Sequence, residues 1–191
     1  MKPAGIILCG GLSRRFGHGP KMLAPLAGKP LVQHVIERVA PQVGRLALNV
    51  NGDPAPYLRY GLEIVADTLP DYPGPLAGVL AGLLWAGGPL LTVTGDEPFV
   101  PRDLAGRLAA ADAPIAFAAS HGRDHWLSAL WSPALAGDLR HALTVEKLDR
   151  VGGFVRRHAH ERIDYGDEAP DPFLNINTPD DLALAEAVLA P

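Results

Sequence analysis

The chain has 191 residues, 48% of them hydrophobic and 20% charged, with a formal net charge of −4. That is the size and composition of one globular domain able to bury most of its apolar surface, and its acidic balance argues against a general binder of nucleic acid or membrane surfaces. A single cysteine, Cys9, excludes an internal disulfide and a cysteine-based zinc site, and no run nears the roughly 18 apolar residues of a spanning helix. Met1-Lys2-Pro3 leads into the first apolar run without a signal-peptide core, so a cytoplasmic protein is expected.

Ile6, Ile7 and Leu8 form the short apolar run of a fully buried strand. It breaks into Cys9-Gly10-Gly11-Leu12-Ser13-Arg14-Arg15-Phe16-Gly17, with Lys21 shortly after. Paired glycines let backbone approach a bulky anion and aim N–H groups at it, while Ser13, Arg14, Arg15 and Lys21 supply hydroxyl and cationic donors. The run reads as a phosphate loop or, more plainly, as a strand-to-helix turn that happens to be basic. It is neither a G-x-G-x-x-G fingerprint nor a P-loop. Behind Pro30, the residues Leu31, Val32, Val35, Ile36 and Val39 recur at helical spacing. Strands are expected over 45–50 and 62–66, delivering Asn49, Asn51 and Asp67 at C-terminal ends, where open α/β sheets bind ligands.

Gly74-Pro75-Leu76-Ala77-Gly78 opens a helix through Leu84 and Trp85 whose small residues permit close approach to a neighbouring element or a ligand. A strand over 89–94 ends in Gly95-Asp96-Glu97-Pro98, and a carboxylate at the tip of a central strand can hold Mg²⁺ with phosphates and water. A helix from Arg102-Asp103 to about Ala111 and a strand over 114–120 follow. His121 to Trp126 reads as a Gly-containing loop before a strand over 128–131, and its two histidines suit contact with an anionic second substrate better than a metal site. Two helices fill 133–160, where His141, Lys147, Arg150, Arg156, Arg157 and His158 make a solvated face or part of an acceptor wall. After an edge strand over 162–165, residues 173–177 end a strand and Thr178 caps the last helix ahead of Pro179. This alternation predicts a three-layer α/β domain, doubly wound, with a mostly parallel mixed sheet.

Leu8-Cys9-Gly10-Gly11-Leu12-Ser13-Arg14-Arg15-Phe16-Gly17 followed by Lys21 resembles the signature loop Leu-Ala-Gly-Gly-x-Ser-x-Arg-Met-Gly-x-x-Asp-Lys of the molybdenum cofactor guanylyltransferase family (molybdopterin-guanine dinucleotide biosynthesis protein A). Gly74 to Gly78 resembles its second signature and Asn175-Ile176-Asn177-Thr178-Pro179 its closing motif. Pro20 departs from the family's usual Asp, and Cys9, where Ala is usual, reads as a small packing residue.

The resemblance covers nearly the whole chain and implies the nucleotidyltransferase variety of the doubly wound fold (GT-A-like, Rossmann-type). It implies a single domain, 1–191, with a nucleotide-binding half to about residue 110 and an acceptor-binding half beyond. The implied reaction moves GMP from GTP to the terminal phosphate of molybdopterin with Mg²⁺ as cofactor. The implied catalytic residues are Lys21, Arg15 and Asp96, with Asp96 also the metal ligand. Leu8, Cys9, Gly10, Gly11, Ser13, Lys21, Asn49, Asp67, Gly74, Pro75, Leu76, Gly78 and Asp96 would surround the nucleotide, and His125, Asn175 and Asn177 the acceptor. Beyond the two substrates, the implied partners are other cofactor-assembly proteins or recipient molybdoenzymes, with no nucleic acid and no membrane. The alternatives are a molybdopterin cytidylyltransferase, a sugar-phosphate nucleotidyltransferase, and a non-catalytic nucleotide-binding partner in cofactor assembly, the last suggested by Pro20.

Overall fold

The computed structural model describes residues 2–10, 20–69, 74–167 and 169–190. Gly11, Ser13, Arg14 and Arg15 of the expected phosphate loop lie outside the described residues, as do residues 71–73. In chain order the elements are β1 (Ala4–Leu8), β2 (Pro25–Leu26), β3 (Lys29–Pro30), α1 (Leu31–Val39), β4 (Arg45–Asn49), β5 (Glu63–Val65), α2 (Pro75–Ala86) and β6 (Leu90–Thr94). They continue with α3 (Leu104–Ala109), β7 (Ile115–Ser120), β8 (Arg123–Trp131), α4 (Ala136–Thr144), α5 (Val151–Val155), β9 (His160–Asp164) and α6 (Pro179–Leu189).

Seven strands form one sheet in the order β5-β4-β1-β6-β8-β7-β9, and β2 pairs with β3 in a separate small hairpin. Pairing is parallel except where β8 inserts antiparallel between β6 and β7. Adjacent residues of a strand point to opposite faces, and β1 shows what that requires. Ile7 packs with Val35, Val93 and Leu104 on the side of α1 and α3. Ile6 packs with Leu80, Leu90 and Trp131 on the side of α2, α4 and α5. Both faces are covered, so the strand must be apolar throughout. A smaller cluster of Leu26, Leu31, Phe99, Ile176 and Ala185 fastens α6 and the β2–β3 hairpin beside the end of β6.

Helix α2 is buried on nearly every side, from Leu76 through Leu83. A Cβ on Gly82 would lie 2.8 Å from Leu90 Cδ2 and 3.1 Å from Ile6 Cγ2, so the helix rests directly on the sheet.

Two expectations need correction. The stretch from Arg123 to Trp126 is strand, not loop, because β8 begins at Arg123. The connection is the two-residue turn His121-Gly122, whose φ values of 48° and 68° match the twist of a tight hairpin. The pairing of β7 and β8 then shifts register between Phe117 and Ala118, so Trp126 to Ser128 bulge away from the ladder. Residues 173–177 contain no strand; the segment is tied down by Ile176 N–H donating to Asp96 O at 2.9 Å.

Helix ends differ in their support. Thr178 accepts from Asp181 N–H at 3.2 Å while the Asp181 carboxylate accepts from Thr178 N–H and Asn177 N–H, both at 2.8 Å, a complete capping box. Asp103 occupies the equivalent position on α3, yet its side chain caps nothing. Thr178→Ala is therefore expected to lower unfolding free energy by about 1 kcal/mol in urea titration. Asp103→Ala should stay within about 0.5 kcal/mol of the parent.

Candidate functional site

The C-terminal ends of β1, β4 and β5 gather the first group of polar side chains. Asn49 Nδ2 donates to Val65 O at 3.0 Å and to Asp67 Oδ1 at 2.8 Å. Asn51 Nδ2 donates to Asp67 Oδ2 at 2.7 Å, and Asp67 N–H returns a bond to Asn51 Oδ1 at 2.9 Å. The Asp67 carboxylate is thus aimed by two amides and keeps lone pairs for a ligand's N–H groups. Asn51, absent from the expected site residues, is as much a part of this network as Asn49.

Helix α2 meets this network through Gly78. A Cβ there would fall 2.5 Å from Asn49 Oδ1 and 2.9 Å from Leu8 Cδ2. Close packing of α2 and its placement beside the Asn49–Asp67 network are therefore one contact. Gly74 and Pro75 open the helix, and Leu76 is buried beneath it. Gly10 follows β1, with Asn51 Nδ2 the nearest group to its would-be Cβ. Burial, and then the Asp96 charge, push the Cys9 thiol pKa far up, so Cys9 is a packing residue and no thiolate.

A second group forms at the end of β6. Pro20 leads into a single helical turn over 21–23, its carbonyl accepting from Leu23 N–H at 2.9 Å. Pro20's fixed φ thus helps shape the turn that carries Lys21. Lys21 Nζ lies 2.5 Å from Asp96 Oδ2, 2.6 Å from Asn177 Oδ1 and 3.4 Å from Asn175 Oδ1. Asn175 Nδ2 donates to the other Asp96 oxygen at 2.9 Å. Residues expected to divide between catalysis, metal binding and the acceptor therefore meet at one point. Gly95 N–H donates to Leu8 O at 3.0 Å, which sets this point beside the end of β1.

A cleft of about 510 Å³ opens from the cluster, lined by Thr94, Glu97, Arg123, Asp124, His125, Trp126, Asp171, Phe173, Asn175 and Asn177 among others. His125 reaches it from β8, stacked on Phe173 with ring centroids 4.6 Å apart. From the basic run, Arg156 lies over the Trp126 ring at 4.9 Å, while Arg157 pairs with Glu146 at the surface. Among the described residues no three His, Cys, Asp or Glu side chains are grouped to hold a metal ion.

Glu97 is buried beneath the cleft, its Oε2 accepting from Ser128 Oγ at 2.6 Å. The bulge in β8 puts Ser128 there, which no sequence period signals. Burial pushes the Glu97 carboxyl up to about 8 against the pull of the Ser128 hydroxyl, and the Asp96 charge adds to the rise.

Two outcomes follow from these contacts. Gly78→Ala is expected to push Asn49 off Asp67, costing about 1–3 kcal/mol in stability as read by urea titration. For Glu97, the unfolded carboxyl titrates near 4.5 and the folded one near 8. Between those values the unfolded chain has released a proton that the folded chain keeps, so folding stability falls as pH rises through the window. Glu97→Gln, which retains an acceptor for Ser128, should show a shallower fall in urea denaturation between these limits; parallel profiles would remove Glu97 from the pH response.

Comparison with known proteins agrees with this geometry. A family model described as a MobA-like NTP transferase domain matches residues 5–162. A molybdenum cofactor guanylyltransferase from Mesorhizobium japonicum is 46% identical, covering 97% of this chain and 95% of its own length. Among solved structures, molybdopterin-guanine dinucleotide biosynthesis protein A from Archaeoglobus fulgidus superimposes with a TM-score of 0.81 at 26% identity, over 97% of this chain and 98% of that one. A Mycobacterium tuberculosis protein in complex with manganese shares the fold, with a TM-score of 0.71 at 18% identity over 97% and 98% of the two chains. With a family model over most of its length and a relative this similar across nearly all of it, the chain belongs to the molybdenum cofactor guanylyltransferase family.

Proposed function

We propose that this protein transfers GMP from GTP to the terminal phosphate of molybdopterin, releasing pyrophosphate and forming molybdopterin guanine dinucleotide. The observation that carries the reading is the meeting of Lys21, Asp96, Asn175 and Asn177, a cationic and amide cluster shared by the β1 end and the adjoining cleft. In this reading residues to about 110 hold the nucleotide and the remainder the acceptor.

Guanine presents N–H donors on its Watson–Crick edge, and the Asp67 carboxylate, aimed by Asn49 and Asn51, accepts them. Gly10 and Lys21, together with Gly11, Ser13 and Arg15, neutralise the charge that builds on departing pyrophosphate. Asp96 is the residue that would hold a divalent cation, which we assign to magnesium. One carboxylate at a strand tip suits an ion that keeps water and phosphate oxygens as its other ligands. When bound, the cation supplies charge neutralisation at the attacked phosphate.

Lys21 bonds to one Asp96 oxygen and Asn175 to the other. Arrival of the nucleotide moves the Lys21 ammonium from carboxylate to phosphate, and Asn175 and Asn177 turn to the acceptor. A phosphate monoester has a second pKa of about 6, so it is already a dianionic nucleophile near neutrality and needs no dedicated base. What the residues contribute is alignment of anions that repel one another. The same reading places the work in the cytoplasm, where GTP is supplied. Among the described residues, no helix is long and apolar enough to cross a membrane.

Pyrophosphate release measured with molybdopterin and Mg²⁺ is expected with GTP and not with CTP or ATP. A preference for CTP would assign the protein to cytidylyl transfer instead. Lys21→Ala and Asp96→Ala should each lower kcat about 100-fold or more, and unchanged turnover in either variant would strip that residue of its role.

A further inference from the structure

Ser120 ends β7 fully buried. Its Oγ lies 2.7 Å from Asp171 Oδ1 and 2.8 Å from His125 Nε2. A serine hydroxyl has one proton, and an ionised carboxylate can only accept. Asp171 Oδ1 also accepts from Phe173 N–H at 3.0 Å, so the carboxylate is fixed as an acceptor by backbone as well. The Ser120 proton is therefore committed to Asp171, and Ser120 Oγ is left to accept from His125. That places the ring proton on Nε2. The order of the three groups also excludes Ser120 as a nucleophile activated by histidine, since its proton points away from the imidazole.

The ring is held in other directions too. Phe173, itself buried, stacks on it at an interplanar angle of 23°, and Tyr165 braces Phe173 edge-on at 5.1 Å. Burial lowers the His125 pKa below its ordinary value, more than the Asp171 charge raises it, which favours the neutral ring. Nδ1 takes no hydrogen bond from any described residue, while the side chain lines the 510 Å³ cleft together with Asp171, Phe173 and Asn175.

We infer that Asp171 and Ser120 are positioning residues that hold His125 as the Nε2–H tautomer, so that its unprotonated Nδ1 receives a hydrogen bond from an N–H or O–H of the pterin ring system of the acceptor. The inference rests on the acceptor reading of the cleft. It changes the kind of contact expected of this segment. A neutral imidazole with a lone pair facing outward does not attract phosphate; it selects a ring bearing polar hydrogens. His125 therefore reads the heterocycle, and the phosphate is left to the Lys21 and Asn177 side of the cleft.

The test uses the full chain labelled with ¹⁵N-histidine. A long-range proton–nitrogen spectrum at neutral pH, with His125 assigned through His125→Phe, is expected to show a protonated Nε2 and a bare Nδ1 whose resonance moves when molybdopterin is added. Ser120→Ala should give a mixture of tautomers and raise the KM for molybdopterin about tenfold, the scale of one lost hydrogen bond, with the KM for GTP unchanged. Ser120→Thr, which keeps the hydroxyl, should restore the single tautomer. His125→Asn sets an amide atom near the Nδ1 position, so it should retain more acceptor affinity than His125→Gln, which reaches toward Ser120. A proton on Nδ1 in the parent protein, an unaltered tautomer and KM in Ser120→Ala, or the reverse order of the Asn and Gln variants would each overturn the inference. If the tautomer, its dependence on Ser120 and the molybdopterin-induced shift are found without GTP turnover, the inference stands and the transfer reading is what fails.

Discussion

A lysine ammonium and a carboxylate 2.5 Å apart, both largely shut away from water, hold the working end of this molecule together. Lys21 comes from the turn after the N-terminal loop, Asp96 from the tip of β6, and Asn175 and Asn177 from the segment before α6. Three stretches far apart in sequence converge because each charge needs the other two groups. Removing one member of such a pair leaves its partner's charge stranded at low dielectric, a cost of about 3–5 kcal/mol. The backbone agrees with the side chains, since Ile176 N–H is bonded to Asp96 O in the same place. A ligand that enters here exchanges partners with groups already satisfied, so the site can change occupants without exposing a bare buried charge.

The sheet explains why two groups of polar side chains adjoin that point. From β5 through β6 the strands are parallel and present all their C-terminal ends to one edge. Insertion of β8 in the opposite sense, with its bulge, turns Trp126 to Ser128 out of the ladder and builds the cleft wall beyond Asp96. On the other flank, the absence of a side chain at Gly78 lets α2 press against Asn49, so the packing of the helix and the aim of Asp67 are a single constraint.

Much of this could be read from the sequence because the dominant signals are local. Strands covered on both faces must be apolar runs, so β1, β4, β6 and β7 announce themselves, and polar residues at their ends mark the ligand edge. The start of β8 was hidden because Arg123, Asp124 and His125 pair with β7 while carrying the polar side chains of a loop. The Asn175 segment looked like a strand from its alternation, yet Ile176 N–H to Asp96 O is its one backbone bond to the end of β6 among the described residues, where a ladder would have several. Ser120, Ser128 and Asp171 matter only through partners between 5 and 51 residues away, contacts that no period or motif encodes. Asp103 and Thr178 both stand just before a helix, and only the second caps it with its side chain.

The neighbouring acids Asp96 and Glu97 look in sequence like a double negative charge at the end of β6. Burial beside Ser128 keeps Glu97 protonated up to a pH of about 8. Near neutrality, then, the two residues present one formal charge between them, and Lys21 balances that one. For the triphosphate and the phosphomonoester of the proposed reaction, the floor at Asp96 and Glu97 then carries no charge beyond the one Lys21 balances, and the mutual repulsion that remains is their own.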